Sequence, residues 1–337
     1  MRRAPHLLAA LLFAASAPSF ADPAPPRWAL AIHGGAGGIP SGLPQAELQQ
    51  IRDTLGQALQ AGGKVLAAGG SSVDAVQAAV QLMEASGVLN AGRGAVLDHE
   101  GRAELDAAIM SGRDRAAGSV AAVRHVASPI GLARLVMERS PHVLLVGEGA
   151  EQFAREQGIP LKPDSYFITE RRKREWQQAL QAEKQAADGK GPHASLPWHP
   201  MGTVGAVALD QQGNLAAATS TGGLTNKHVG RVGDSPIVGA GTYALNGVCA
   251  ISATGHGEYF IRYTAAGEVC ARVRYRGESI GAASGEVIEE LKQAGGEGGM
   301  IALDAQGNIA MPYSSATMLR GQLSAGQAAQ VVVESKP

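Results

Sequence analysis

Apolar residues form one early run from Leu7 to Ala17 and then short clusters punctuated by glycine. Arg2 and Arg3 precede the early run, and Ser19, Phe20 and Ala21 close it before Asp22. The run is too short to span a bilayer, so residues 1–21 are expected to be an export signal cleaved near Ala21, which makes the mature protein periplasmic or secreted. Residues 28–32 predict a buried strand that ends in the glycine turn of residues 33–38. Leu48, Ile51, Leu55 and Leu59 recur at helical spacing as far as Gly62 and Gly63. Val73, Val76, Val80 and Met83 make a second helical stripe, with Ser71 and Asp74 as its capping box.

Between Gly94 and Gly112, two apolar runs flank His99, Glu100 and Gly101, a hairpin signature, and residues 118–123 predict another strand. Helical spacing returns at residues 130–138 and 150–156. From about residue 162 to residue 200 the chain turns polar, which predicts an exposed helix followed by a flexible linker. Beyond it, apolar runs at 203–209 and 215–219 are joined by a Gln-Gly-Asn turn, and runs at 300–303 and 309–312 repeat the device. Strand-turn-strand units among helical segments imply antiparallel sheets packed on helices, an α+β protein and not a doubly wound one.

Composition narrows the chemistry. The 337 residues are 45% hydrophobic and 18% charged, enough for a large core. A net charge of -1 leaves no basic stripe for a phosphate backbone, so no nucleic-acid partner is expected, and no membrane partner either. The two cysteines, Cys249 and Cys270, lie among apolar neighbours and are expected as buried free thiols. Neither they nor the nine histidines have metal-site spacing, so a catalytic metal is not expected.

Glycine-rich clusters carry the candidate chemistry. His33, Gly34 and Gly35 resemble an esterase oxyanion loop, and Gly277-Glu278-Ser279-Ile280-Gly281 matches a serine elbow. That reading needs a histidine after the serine, yet the last histidine is His256, so residues 277–281 are a loop leading into a helix. No Gly-Lys-Ser/Thr completes a phosphate loop. A second cluster, Met201 to Gly205, stands where the polar linker meets a buried strand. A third runs through Thr219 to Gly223, Gly230 to Pro236 and Thr254 to Glu258, and its composition alone suggests turns.

Taken in order, residues 33–38, 90–94, 202–208, 219–223, 230–236 and 254–258 resemble the motifs of the plant-type asparaginase/isoaspartyl peptidase family, over residues 30–312. The resemblance implies a four-layer αββα sandwich of the N-terminal-nucleophile hydrolase type, formed as one domain. It implies autocleavage between Gly202 and Thr203 into an α subunit of residues 22–202, with its linker at about 162–202, and a β subunit of residues 203–337. Thr203 would be nucleophile and, through its freed α-amine, base; that amine titrates near pH 7.7–8.0, far below a lysine. Glycine before the cut tolerates a strained backbone and leaves room for attack.

The same resemblance implies that Thr221 orients Thr203, that Thr254 and the Gly255 N–H bind the oxyanion, and that Arg231 and Asp234 hold the substrate's α-carboxylate and α-ammonium. Composition alone would make Arg231 and Asp234 a surface pair at i,i+3. Gly257 would line the substrate pocket and Asn90 would lie near the nucleophile, where a turn-forming asparagine is an equal description. No cofactor is required on this reading. A structural Na⁺ would sit on backbone carbonyls before Asn90, where residues 84–89 lack the proline and phenylalanine often found there. The partners implied are a small-molecule or dipeptide substrate and, for the two chains, an αβ heterodimer assembled as (αβ)2. The activity implied is hydrolysis of β-aspartyl dipeptides and L-asparagine with release of L-aspartate. Glycosylasparaginases, of the same fold, usually carry aspartate before the nucleophile and asparagine at the first glycine of TSTGG; this chain has Gly202 and Gly222. A binding protein that kept the fold and lost the activity is the reading from another class, told apart by failure to split at Gly202.

Overall fold

The computed structural model describes residues 28–37, 43–187 and 202–333. The expected export signal at residues 1–21, and residues 188–201 of the linker expected at about 162–202, lie outside the described residues, while residues 170–187 of that stretch form a helix. The chain runs β1 (Ala29–Gly37), α1 (Gln45–Ala67), α2 (Ser72–Ala85), β2 (Leu105–Ser111), β3 (Ala117–Val123), α3 (Pro129–Arg139), β4 (Leu144–Val146), α4 (Gly147–Glu156) and α5 (Glu170–Ala187). It continues β5 (Val204–Leu209), β6 (Leu215–Thr221), β7 (Thr242–Leu245), β8 (Cys249–Gly255), α6 (Gly257–Arg262), α7 (Ala265–Ala271), α8 (Ile280–Gln293), β9 (Gly298–Asp304), β10 (Ile309–Ala310), β11 (Thr317–Ser324) and β12 (Gln330–Val332).

Two sheets form. The larger has the order β12-β11-β1-β5-β6-β2-β3-β4 and the smaller the order β10-β9-β8-β7. All pairs are antiparallel except β3 with β4. Three apolar clusters separate four layers. Leu55, Leu59, Val76 and Val80 pack α1 and α2 on the larger sheet. Met110, Val207, Leu215, Ile301 and Leu303 fill the space between the sheets. Phe260, Val269, Val287 and Leu291 cover the outer face of the smaller one. Because side chains alternate along a strand, Ala206 and Ala208 face the helices while Val207 and Leu209 face the other sheet. The result is the αββα sandwich that the motifs implied.

Several local expectations are corrected. The strand does not end at residue 32: β1 runs to Gly37, with a register shift between His33 and Gly35, where Gly35 takes φ 115. Residues 95–104 are no hairpin. Asp98 folds them into a loop, its carboxylate accepting from the Glu100 and Arg102 N–H groups at 2.8 and 3.0 Å. Cys249 and Cys270 are not free thiols but a disulfide, with Cα atoms 5.7 Å apart, tying β8 to α7. The helix predicted as exposed, α5, is largely so, but it buries Ala179 and Arg172, whose Nε donates to the Gly94 carbonyl at 2.6 Å. The stretch at residues 277–281 does lead into α8, with the Ser279 hydroxyl capping it through the Ala282 N–H at 3.2 Å. Likewise Ser71 caps α2 by accepting from the Asp74 N–H at 3.1 Å. Among the described residues no helix is long and apolar enough to cross a membrane.

Candidate active site

Thr203 stands at the head of β5, between two neighbours that supply its surroundings. On one side β6 ends in Thr221, and the Thr203 hydroxyl donates to the Thr221 hydroxyl at 3.1 Å. Thr221 is held in turn by the Gly223 N–H, which donates to it at 2.9 Å. On the other side β1 brings Gly35 so close to Gly202 that a Cβ on Gly35 would overlap the Gly202 carbonyl oxygen. Only glycine fits there. Thr203 itself takes φ 53, a left-handed conformation that costs a β-branched residue on the order of 1–3 kcal/mol. The torsion concerned begins at the Gly202 carbonyl carbon, so the strain resides beside the peptide bond expected to break.

The smaller sheet contributes the opposite wall. Thr254, at the end of β8, donates its hydroxyl to the Gly202 carbonyl oxygen at 3.3 Å and accepts from the Ala36 N–H at 3.1 Å. Gly255 follows with φ 144, packed against the 297–298 backbone so tightly that a side chain has no room. Behind these residues, a buried hydrogen-bond chain links His33 to Ser252 at 2.9 Å, Ser252 to Thr219 at 2.7 Å and Thr242 to Thr219 at 2.6 Å. Burial holds the His33 imidazole neutral, its pKa lowered to about 3. It therefore serves the strands as a neutral hydrogen-bonding group.

A small cleft opens from Gly202 and Thr203 toward Arg231, Asp234 and Gly255. Asp234 is buried, its Oδ2 has no hydrogen-bond partner among the described residues, and burial pushes its carboxyl up to about 6. An unpaired carboxylate facing a cleft is suited to an incoming cation. Arg231 does not pair with Asp234 as composition suggested. Its Nε and Nη2 instead meet the Glu258 carboxylate in a two-point bond, each at 2.9 Å, which leaves the Nη1–Nη2 edge for a second carboxylate. Glu258 was legible as the last residue of the TGHGE stretch, but its partner lies 27 residues away and no spacing connects them. Gly257 lines the Asp234 side: a Cβ there would stand 2.8 Å from Asp234 Oδ1.

Asn90 closes the floor. Its side chain donates to the Gly223 carbonyl at 2.8 Å and accepts from the Val96 N–H at 2.9 Å, so it braces the Thr221–Gly223 turn. A Cβ on Gly202 would come within 3.7 Å of its amide nitrogen. The motif residues dispersed over the sequence thus converge on one cleft.

Comparison with known proteins agrees with this convergence. The profile of the family described as Asparaginase matches residues 26–333. An isoaspartyl peptidase of Salmonella typhimurium is 49% identical over 303 residues, covering 88% of this chain and 95% of its own. The Escherichia coli isoaspartyl peptidase is 48% identical with 88% and 93% coverage. A Mus musculus isoaspartyl peptidase/L-asparaginase is 43% identical over 301 residues, with 88% and 89% coverage. The chain belongs to the asparaginase family, whose members are N-terminal-nucleophile hydrolases.

Proposed function

We propose that this protein is an autoproteolytic threonine amidohydrolase that releases L-aspartate from β-aspartyl dipeptides and from L-asparagine. The observation that carries the proposal is the setting of the Gly202–Thr203 peptide: a strained nucleophile residue, its carbonyl oxygen on the Thr254 hydroxyl, opening into a cleft that ends at Arg231 and Asp234. In the first reaction the Thr203 hydroxyl attacks the Gly202 carbonyl carbon, and Thr254 stabilises the oxyanion. The acyl group passes from nitrogen to oxygen, and water then hydrolyses the ester. The products are an α subunit of residues 22–202 and a β subunit of residues 203–337.

The freed amine of Thr203 then acts as base for its own hydroxyl, with Thr221 orienting the oxygen. Arg231 receives the substrate α-carboxylate on its free edge and Asp234 the α-ammonium, which places the side-chain amide carbonyl at Thr203. Thr254 and the Gly255 N–H take up the second oxyanion. The amide substituent is not read by these contacts, so β-aspartyl dipeptides should be turned over with higher kcat/KM than free asparagine. Intact-mass analysis and a kinetic panel on wild type and Thr203→Ala test the proposal. An uncut wild-type chain, or full turnover by Thr203→Ala, would refute it.

A structural Na⁺ on backbone carbonyls of the loop before Asn90 is a further part of the proposal. Gly92 and Gly94 pack closely on the backbone of this loop: a Cβ at 92 would lie 2.7 Å from the Glu84 oxygen and one at 94 would lie 2.9 Å from the Gly87 oxygen, so these oxygens stand without a side chain over them. Backbone oxygens of Glu84, Gly87 and Leu89 are the atoms proposed to hold it, a support for the loop that takes no part in the chemistry. Export through residues 1–21 to the periplasm or beyond, and an (αβ)2 assembly, complete the proposal.

A further inference from the structure

Behind the Thr221–Gly223 turn lies a buried set of charges that the reaction does not use. Asp106 stands opposite Thr221 in the β2–β6 ladder and is fully buried. Its Oδ1 accepts from the Ala122 N–H at 2.9 Å, and its Oδ2 has no hydrogen-bond partner among the described residues. Lys227 is also buried, and its ammonium donates to the Glu104 carbonyl at 3.0 Å while lying against Gly223. Glu104 accepts from the Gly230 N–H at 2.8 Å with one carboxylate oxygen and from Arg124 at 2.8 Å with the other. Burial raises the Asp106 carboxyl above the usual carboxylate range, and the positive charges of Lys227 and Arg231 oppose that rise.

These contacts fasten the segment from Gly223 to Gly230 onto the start of β2. The next residue is Arg231, and Asp234 follows three positions later. The same strand end faces Thr221, which holds Thr203. We propose that Asp106 and Lys227 are positioning residues that fix the distance from Thr203 to Arg231 and Asp234, and thereby select a β-aspartyl over a γ-glutamyl amide. The proposal rests on the function argued above. A γ-glutamyl substrate is one methylene longer between its α carbon and its scissile carbonyl, so a rigid spacing rejects it and a loosened one does not. Buried groups tied to backbone are suited to such a spacer: the Lys227 ammonium on the Glu104 carbonyl and the Glu104 carboxylate on the Gly230 N–H hold the segment to β2 at two points.

The test uses the full chain and its variants Asp106→Asn, Lys227→Met and the two combined, with β-aspartyl and γ-glutamyl dipeptides as substrates. Each single variant leaves a buried charge uncompensated and is expected to be less stable, so the combined variant, which removes both charges, carries the decision. It is expected to cleave itself completely and to keep kcat on the β-aspartyl dipeptide within a few-fold. Its KM should rise on the order of ten- to a hundredfold, and its preference over the γ-glutamyl dipeptide should fall at least about tenfold. A merely structural pair would lower the active fraction, and so kcat, without moving KM or the preference. Wild-type KM and preference in the combined variant overturn the proposal, as does loss of self-cleavage, which would place the pair's effect on the precursor. A wild-type chain without β-aspartyl turnover overturns the function itself and this inference with it, and the wild-type measurement alone separates that case.

Discussion

The Thr254 hydroxyl donates to the carbonyl oxygen of Gly202 at 3.3 Å, and Thr254 belongs to the smaller sheet while Gly202 leads into the larger. The two sheets therefore meet at the peptide bond proposed to break. A donor already on the carbonyl oxygen is aimed where negative charge would develop. Removing such a donor typically costs on the order of a hundredfold or more in rate. Thr254→Val keeps the shape of the side chain and deletes the donor, and its self-cleavage should slow by about that factor. A time course of intact mass after purification measures it; cleavage at the wild-type rate would contradict the assigned role.

Gly35 gives a sharper steric prediction. A Cβ at this position would overlap the Gly202 carbonyl, and its φ of 115 is itself unfavourable for other residues. Gly35→Ala must displace the Gly202 peptide from Thr254, so the chain should remain uncut. The altered backbone angle also predicts a loss of stability on the order of 1–3 kcal/mol. Gel analysis of the purified variant decides the first point and thermal unfolding the second, and substantial self-cleavage in this variant would show the contact to be dispensable.

Asp234 combines a cost in stability with a benefit in binding. Its carboxyl, at about 6 in the folded protein, lies above the ordinary aspartate value of 3.8 because burial disfavours its charge. A carboxyl raised on folding binds its proton more tightly in the native state. The folded protein therefore loses stability as pH rises from about 4 to about 6, and the loss, on the order of 3 kcal/mol, persists above that window. Asp234→Asn should accordingly raise the melting temperature at pH 7.5 and have little effect at pH 3.5. The same substitution removes the proposed ammonium partner, so KM should rise sharply at pH 7.5. In the wild type, KM should rise as pH falls through about 6, since protonation removes the negative charge. Equal melting temperatures for wild type and variant across this range would show that no buried charge is carried at Asp234.

Much of this was legible because the chemistry depends on small residues next to threonine. Gly35 against Gly202 and Gly255 against residues 297–298 mark places where backbone approaches backbone, while Gly222 and Gly223 after Thr221 leave room for the Asn90 and Lys227 side chains, and that demand is written directly in composition. Where side chains meet across the fold, the sequence was silent. Glu258 reaches Arg231, and Asp106 faces Thr221, only because strands and helices are assembled. Two local errors have the same origin. Glycines at 34, 35 and 37 suggested a turn, yet β1 continues because β5 and β11 pair with it on both sides. Val96 and Leu97 suggested a strand before His99, yet their apolar character reflects burial under a loop held by Asp98. Hydrophobicity reports burial, and only the periodicity of a longer element reports its type.

The disulfide was the third such error, and it leads to a prediction about the oxyanion wall. Cys249 opens β8 and Thr254 closes to within a residue of its end, so the bond to Cys270 ties the strand bearing Thr254 to α7. The bridged residues are separated by 21 positions, and closing a loop of that size stabilises the folded state by about 3 kcal/mol on the chain-entropy account. Cys249→Ala with Cys270→Ala should lower the melting temperature, and wild type treated with a thiol reductant should fall to the same value. Self-cleavage should persist in the double variant, because Thr254 is also held by the Ala36 N–H and by the β9 ladder. A melting temperature indifferent to both treatments would mean that the cysteines act as the separate buried thiols their apolar neighbours first suggested.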